Sequence, residues 1–162
     1  MDLILGNLCS LLAMVTDSIS TACKTAKGVL IAQTVSQIIY GVGSVILKGY
    51  SAAAQNLVNL LRNAVAIRGI KKPAVEWTLV ALALGLGILC NNRGLVGLLP
   101  VIGTLEYSIV VFRFSNNERA LKLAFLICLI LYAVFNLVIL NVLGALSNVV
   151  VGVMIVIALC KK

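Results

Sequence analysis

In 162 residues, 62% are hydrophobic and 11% charged, against about 25% charged in a water-soluble globule, and the mean hydropathy is +1.14. This is the composition of an integral membrane protein, and about seven spans of ~20 residues would use nearly all of it, which excludes a sizeable soluble domain. The net charge of +8 does not point to nucleic acid, because the basic residues sit in short connections between apolar runs rather than along one face.

No basic stretch opens the chain, so the apolar run from Leu3 is expected to remain as a first helix rather than serve as a signal peptide. That helix reaches about Ser18 and leaves through the polar TDSISTACKTAK, where Asp17, like Asp2, is expected to be solvated. A second helix runs from about Gly28 to Leu47, and Gly49 is expected to permit the tight reversal into a third, Tyr50 to about Ile67. ArgGlyIleLysLysPro stops the third helix. The fourth, Val75 to about Cys90, is uniformly apolar. AsnAsnArgGly then leads into a fifth, Leu95 to about Phe112, followed by a sixth, about Leu121 to Leu140, and a seventh, about Leu143 to Cys160.

Charge and repetition both constrain topology. With the N-terminus outside, the cytoplasmic connections and C-terminus hold ten basic residues (Lys24, Lys27, Arg68, Lys71, Lys72, Arg113, Arg119, Lys122, Lys161 and Lys162), while the outer connections hold two, Lys48 and Arg93. That is a positive-inside pattern for N-out, C-in. Independently, Tyr40, Val42, Ala53, Asn56 and Ala66 recur 92 residues later as Tyr132, Val134, Ala145, Asn148 and Ala158. A direct repeat needs an even number of helices between copies, which three helices and a linker supply. The expected fold is therefore an all-α membrane protein of seven transmembrane helices, two parallel triple-helix bundles (1–69 and 94–162) joined by a linker helix in 70–93.

Polar side chains at membrane depth are the candidates for function. Asn56 and Asn148 occupy equivalent places in the two copies, and each amide offers a donor and an acceptor to a small polar solute; stapling of neighbouring helices is the structural alternative. Asn59 and Asn63 extend the polar stripe, and Tyr40 and Tyr132 either line a pocket with them or pack. Arg62 and Glu106 share a depth, which suggests an intramembrane ion pair acting as a latch or an inner gate, with snorkelling of Arg62 as the alternative. Pro100 interrupts the fifth helix and is either a hinge or only bundle geometry. Gln33, Gln37, Ser44 and Asn136 form a weaker polar set. The five cysteines are odd in number and widely spaced, and the chain has no histidine, so they read as packing residues rather than metal ligands. No catalytic motif, metal site or cofactor loop is present, which argues against an enzyme.

The runs AQTVSQIIYGVGSVILKGYSAAAQNLVNLLRNAV and NNRGLVGLLPVIGTLEYSIVVFR resemble the bacterial inner-membrane YgjV family, through a glutamine and an aromatic before LeuLysGlyTyr, a LeuArgAsn in the third helix and Asn-x-x-Gly before a LeuLeuPro helix. That resemblance implies a multi-pass protein of the bacterial inner membrane. The three-plus-one-plus-three order is also similar to the SWEET and PQ-loop sugar transporters, whose pocket takes an asparagine from each third helix, as Asn56 and Asn148 would supply. This chain departs from that pattern in lacking a Pro-Gln pair, since Val101 follows Pro100 and Leu8 stands at the equivalent place in the first copy. The expected function is transport of a small polar solute, a sugar among the candidates, as a uniporter or with protons, by alternating access; a non-transporting receptor or accessory protein is the alternative. Expected partners are that solute and membrane lipids, and Gly41 to Ser44 and Gly85 to Gly87 leave a homo-oligomer open.

Overall fold

The computed structural model describes residues 1–161, so Lys162, counted above among the inner charges, lies outside the described residues. Within them the chain is all-helical: α1 (Asp2–Ala22), α2 (Ala26–Ile46), α3 (Tyr50–Ile67), α4 (Pro73–Leu89), a 3₁₀ turn (Gly94–Leu98) leading into α5 (Leu99–Arg113), α6 (Glu118–Val138) and α7 (Val142–Cys160). Their starts follow local chemistry. Thr25 accepts a hydrogen bond from the Gly28 amide, Asn117 from those of Arg119 and Ala120, and Asn141 from that of Gly144, each occupying a donor that a helix start leaves open.

Five of these elements, α1, α2, the 3₁₀ turn with α5, α6 and α7, are long and apolar enough to cross a membrane. α4 is apolar but 17 residues long. α3 falls short in hydropathy because Ser51, Gln55, Asn56, Asn59, Arg62 and Asn63 interrupt it, yet all six are buried. The same inverted polarity appears on α1. On α1, Leu8, Leu12, Val15 and Ile19 face outward while Asn7, Ser10, Asp17 and Ser20 are buried. In water so much exposed apolar surface would be strongly unfavourable; in a bilayer it is solvated by acyl chains.

Consecutive helices pack on one another from α1 to α3 and again from α5 to α7, and the two sets meet where α1 lies on α7 and α3 on α5. Six helices thus close a ring, and α4 packs against α3 and α5. Contact between α1 and α2 is close at Gly43, where a Cβ would stand 3.0 Å from that of Cys9 and 3.2 Å from the Gly6 carbonyl oxygen. Two apolar clusters fill the ring at different levels. The larger includes Leu30, Val111, Leu121, Phe125, Val151 and Ile155, and the smaller Leu47, Ala52, Phe135 and Ile139.

The turns α2–α3 and α6–α7 repeat one backbone geometry at the 92-residue offset. Lys48 (φ 57°) and Leu140 (φ 59°) both take the left-handed conformation. Around them the amides of Gly49 and Asn141 donate to the carbonyls of Ser44 and Asn136, each at 2.8 Å, and those of Lys48 and Leu140 donate to Val45 and Leu137. This is a Schellman ending, made twice. Gly49 is not the left-handed residue, contrary to the sequence expectation; its backbone is at φ −90°. It is small for another reason, since a Cβ there would lie 3.1 Å from Ile139 Cδ1 and 3.3 Å from Phe135 Cε1. A non-glycine left-handed residue costs roughly 1 kcal/mol, and the Lys48 side chain is exposed. Lys48→Gly should therefore raise the apparent Tm in detergent by about 2–4 °C, while Gly49→Val should lower it; thermal unfolding of both variants checks the assignment.

Candidate functional site

Where the ring leaves space between the two apolar clusters there is a narrow cavity of about 30 Å³, lined from all six ring helices and not from α4. Asn56 and Asn148 both reach it, as do Asn59, Tyr40 and Tyr132. The two repeat-related asparagines are 3% and 4% exposed, and neither Nδ2 has a hydrogen-bond partner. An amide donor buried unpaired costs about 1–3 kcal/mol, and here two such donors stand at equivalent places on one cavity wall. The Tyr40 hydroxyl, also buried, makes no hydrogen bond at ordinary geometry and has the Asp17 carboxylate as its neighbour. Tyr132 shares a hydrogen bond with Thr104 Oγ1 at 3.3 Å.

A second layer of polar groups braces the wall. Asn59 Nδ2 donates to Gln37 Oε1 at 3.1 Å, joining α3 to α2, and Tyr107 Oη donates to Gln33 Oε1 at 2.6 Å, joining α5 to α2. Arg62, 1% exposed, is held by neutral groups alone. Its Nη1 donates to Asn59 Oδ1 at 2.8 Å, its Nε and Nη2 to Asn63 Oδ1 at 3.1 and 2.9 Å, and its guanidinium lies 4.4 Å above the Tyr107 ring. Planar forks suit such multidentate capture, and the ring face adds a cation–π attraction.

The expected pairing of Arg62 with Glu106 is not made: no salt bridge joins them within 4 Å. Sharing a depth was insufficient, because Tyr107 and Ser108, on the buried face of α5, meet the guanidinium, while half-buried Glu106 stands beside that face. Asn63 also departs from its expected role. Its oxygen is taken by Arg62, its Nδ2 points to the Leu30 carbonyl at 3.5 Å, and it does not line the cavity. Pro100 does not interrupt a continuous α-helix. It lies in the first turn of α5, after the 3₁₀ turn, where its missing N–H would have no intrahelical partner.

Asp17 is the largest correction. Rather than being solvated, it is 0% exposed and lines the cavity, because α1 runs on to Ala22. Neither carboxylate oxygen makes a hydrogen bond at ordinary geometry, although the Ser36 and Tyr40 hydroxyls are close enough to interact with it. Also unforeseen is a network toward the α6–α7 turn. Asn141 Nδ2 donates to Ser10 Oγ at 2.8 Å, Asn7 Nδ2 to the Leu140 carbonyl at 3.2 Å, and the Leu143 amide to Asn7 Oδ1 at 2.8 Å, tying α1 to the second repeat. Asn7, Ser10, Asp17 and Ser20 follow helical spacing, a signal present in the sequence.

A model of bacterial inner membrane proteins, Imp-YgjV, matches residues 4–162. The chain belongs to the YgjV family. Its localisation is accordingly the bacterial inner membrane, which several apolar helices cross. No curated protein and no solved structure matches the chain. In this YgjV-family protein the buried arginine and its amides should act as one unit. Comparing Arg62→Met, Asn63→Leu and the double variant by unfolding in detergent should give a coupling energy of about 1 kcal/mol or more, larger than for the Arg62→Met and Glu106→Gln pair.

Proposed function

We propose that this YgjV-family protein transports a small polar solute across the inner membrane by alternating access, with residues 1–69 and 94–162 as two parallel three-helix bundles, α4 as the linker, and the N-terminus outside. The observation that carries this reading is the convergence of six helices on one polar cavity whose two repeat-related amides, on Asn56 and Asn148, are buried and unpaired. Both three-helix sets also contribute a tyrosine to the same wall, Tyr40 and Tyr132. The resemblance to SWEET and PQ-loop proteins implies the same division of labour.

Apolar clusters lie on both sides of the cavity along the ring. Leu47, Ala52, Phe135 and Ile139 bring together residues flanking the α2–α3 and α6–α7 turns, and Tyr107 with Phe125, whose ring centroids are 5.6 Å apart, belongs to the other cluster. At about 30 Å³ the space holds two or three waters, each needing roughly 10–15 Å³. Solute entry therefore requires the bundles to part at one cluster while the other stays closed. Asn56 and Asn148 would hold the solute, Asn59, Tyr40 and Tyr132 would complete its wall, and Arg62 with Asn63 would keep the inner side shut.

Uptake into proteoliposomes across sugars, amino acids, nucleosides and small amines tests this. At least one solute should accumulate above empty liposomes, and Asn56→Ala and Asn148→Ala should each slow its uptake by about tenfold, the cost of one lost hydrogen bond of about 1.4 kcal/mol. Saturable binding of a solute with no flux would overturn transport and support the receptor.

A further inference from the structure

Among the described residues Asp17 is the one carboxylate lining the cavity, and no cationic side chain lines it. It is fully buried, and the groups near it, the Ser36 and Tyr40 hydroxyls, are neutral. The Ser36 hydroxyl already donates to the Gln33 carbonyl at 2.9 Å. The cation buried in the same ring, Arg62, is committed to Asn59, Asn63 and the Tyr107 ring. The other basic side chain buried among the described residues, Lys122, sits 2.7 Å from Glu118. An ionised carboxylate in a low-dielectric interior is strongly unfavourable without a counter-charge. If the protein does not supply that charge, the ligand can.

The remaining lining narrows the chemistry. The rings of Tyr40, Phe125 and Tyr132 share the cavity with Asp17, and aromatic rings beside a carboxylate favour an organic ammonium. A bare metal ion would instead need a shell of oxygens in place of its water. The unpaired Nδ2 donors of Asn56 and Asn148 ask for an acceptor elsewhere on the same molecule. We propose that the cavity binds a small amine, its ammonium group on Asp17 and a hydroxyl, carbonyl or carboxylate oxygen on the paired asparagine amides. This rests on the cavity being the binding site proposed above, and it replaces a neutral sugar with a cationic solute.

The test is thermal unfolding of the full chain purified in detergent, with ethanolamine, choline, glycine or methylammonium chloride added, against sodium chloride at equal ionic strength and against glycerol and glucose. At a hundredfold excess over Kd at least one amine should raise the apparent Tm by about 5–10 °C, saturably. Asp17→Asn should abolish that rise, and Asn56→Ala should weaken it for ethanolamine or glycine. A shift no larger than that of sodium chloride, or one unchanged in Asp17→Asn, overturns the proposal. Should Asp17→Asn fail to fold, Asp17→Glu serves: affinity for the amine should fall by about tenfold, and unchanged affinity overturns the assignment. Stabilisation and flux of a neutral solute with no amine response would defeat the amine and leave transport standing. Amine binding abolished by Asp17→Asn, without flux, would support the amine and defeat transport.

Discussion

A polar side chain in hydrocarbon has no water to turn to, so it must find a partner inside the protein or face a cavity. That constraint organises the molecule. Buried on α1, α2, α3 and α7 are asparagines, glutamines, serines and an aspartate, and turned outward are leucines, isoleucines and valines. Helices whose polar stripes all point one way can bury them only by closing around a common axis. The ring follows, and the cavity is what remains where the polar groups do not wholly satisfy each other.

The ring is not uniform around that axis. On α3 the polar stripe continues to Asn59, Arg62 and Asn63, whereas the equivalent places on α7 are Val151, Met154 and Ile155, of which Val151 and Ile155 are fully buried. The first half therefore braces itself with hydrogen bonds around a guanidinium, and the second with apolar packing. Toward the α6–α7 turn the bias reverses: Asn141 caps α7 and bonds Ser10, while its counterpart Gly49 has no side chain to do either. Where the halves do match, in the left-handed turns at Lys48 and Leu140 and in Asn56 and Asn148, the shared features are a backbone ending and a cavity wall.

Much of this was legible in the residues. Hydropathy located all seven helices to within a few residues at most ends, and the 92-residue repeat identified two asparagines that do share a cavity. What failed, failed for physical reasons. TDSISTA reads as a polar exit, but a ring of helices makes a polar face an interior one, so α1 continues and Asp17 goes inside. Depth matched Arg62 with Glu106, yet a contact needs matching faces as well, and neutral amides and an aromatic ring took the arginine instead. Pro100 reads in sequence as a break within a helix, but the 3₁₀ turn before it makes it the beginning of one. Gly49 suggests backbone freedom in the sequence, whereas its lack of a side chain is what α6 requires.

The central claim is the inward direction of the polar stripes, and neighbouring residues divide it cleanly. Leu57 and Val149 are 53% and 56% exposed, while Asn56 and Asn148 beside them are 3% and 4% exposed. Spin labels at Leu57→Cys, Val149→Cys, Asn56→Cys and Asn148→Cys, each in a variant lacking the native cysteines and reconstituted in bilayers, can be compared by collision with oxygen, which concentrates in lipid. High oxygen accessibility at 57 and 149 with low accessibility at 56 and 148 is the predicted result; the reverse order, placing the asparagines against lipid, would contradict the account.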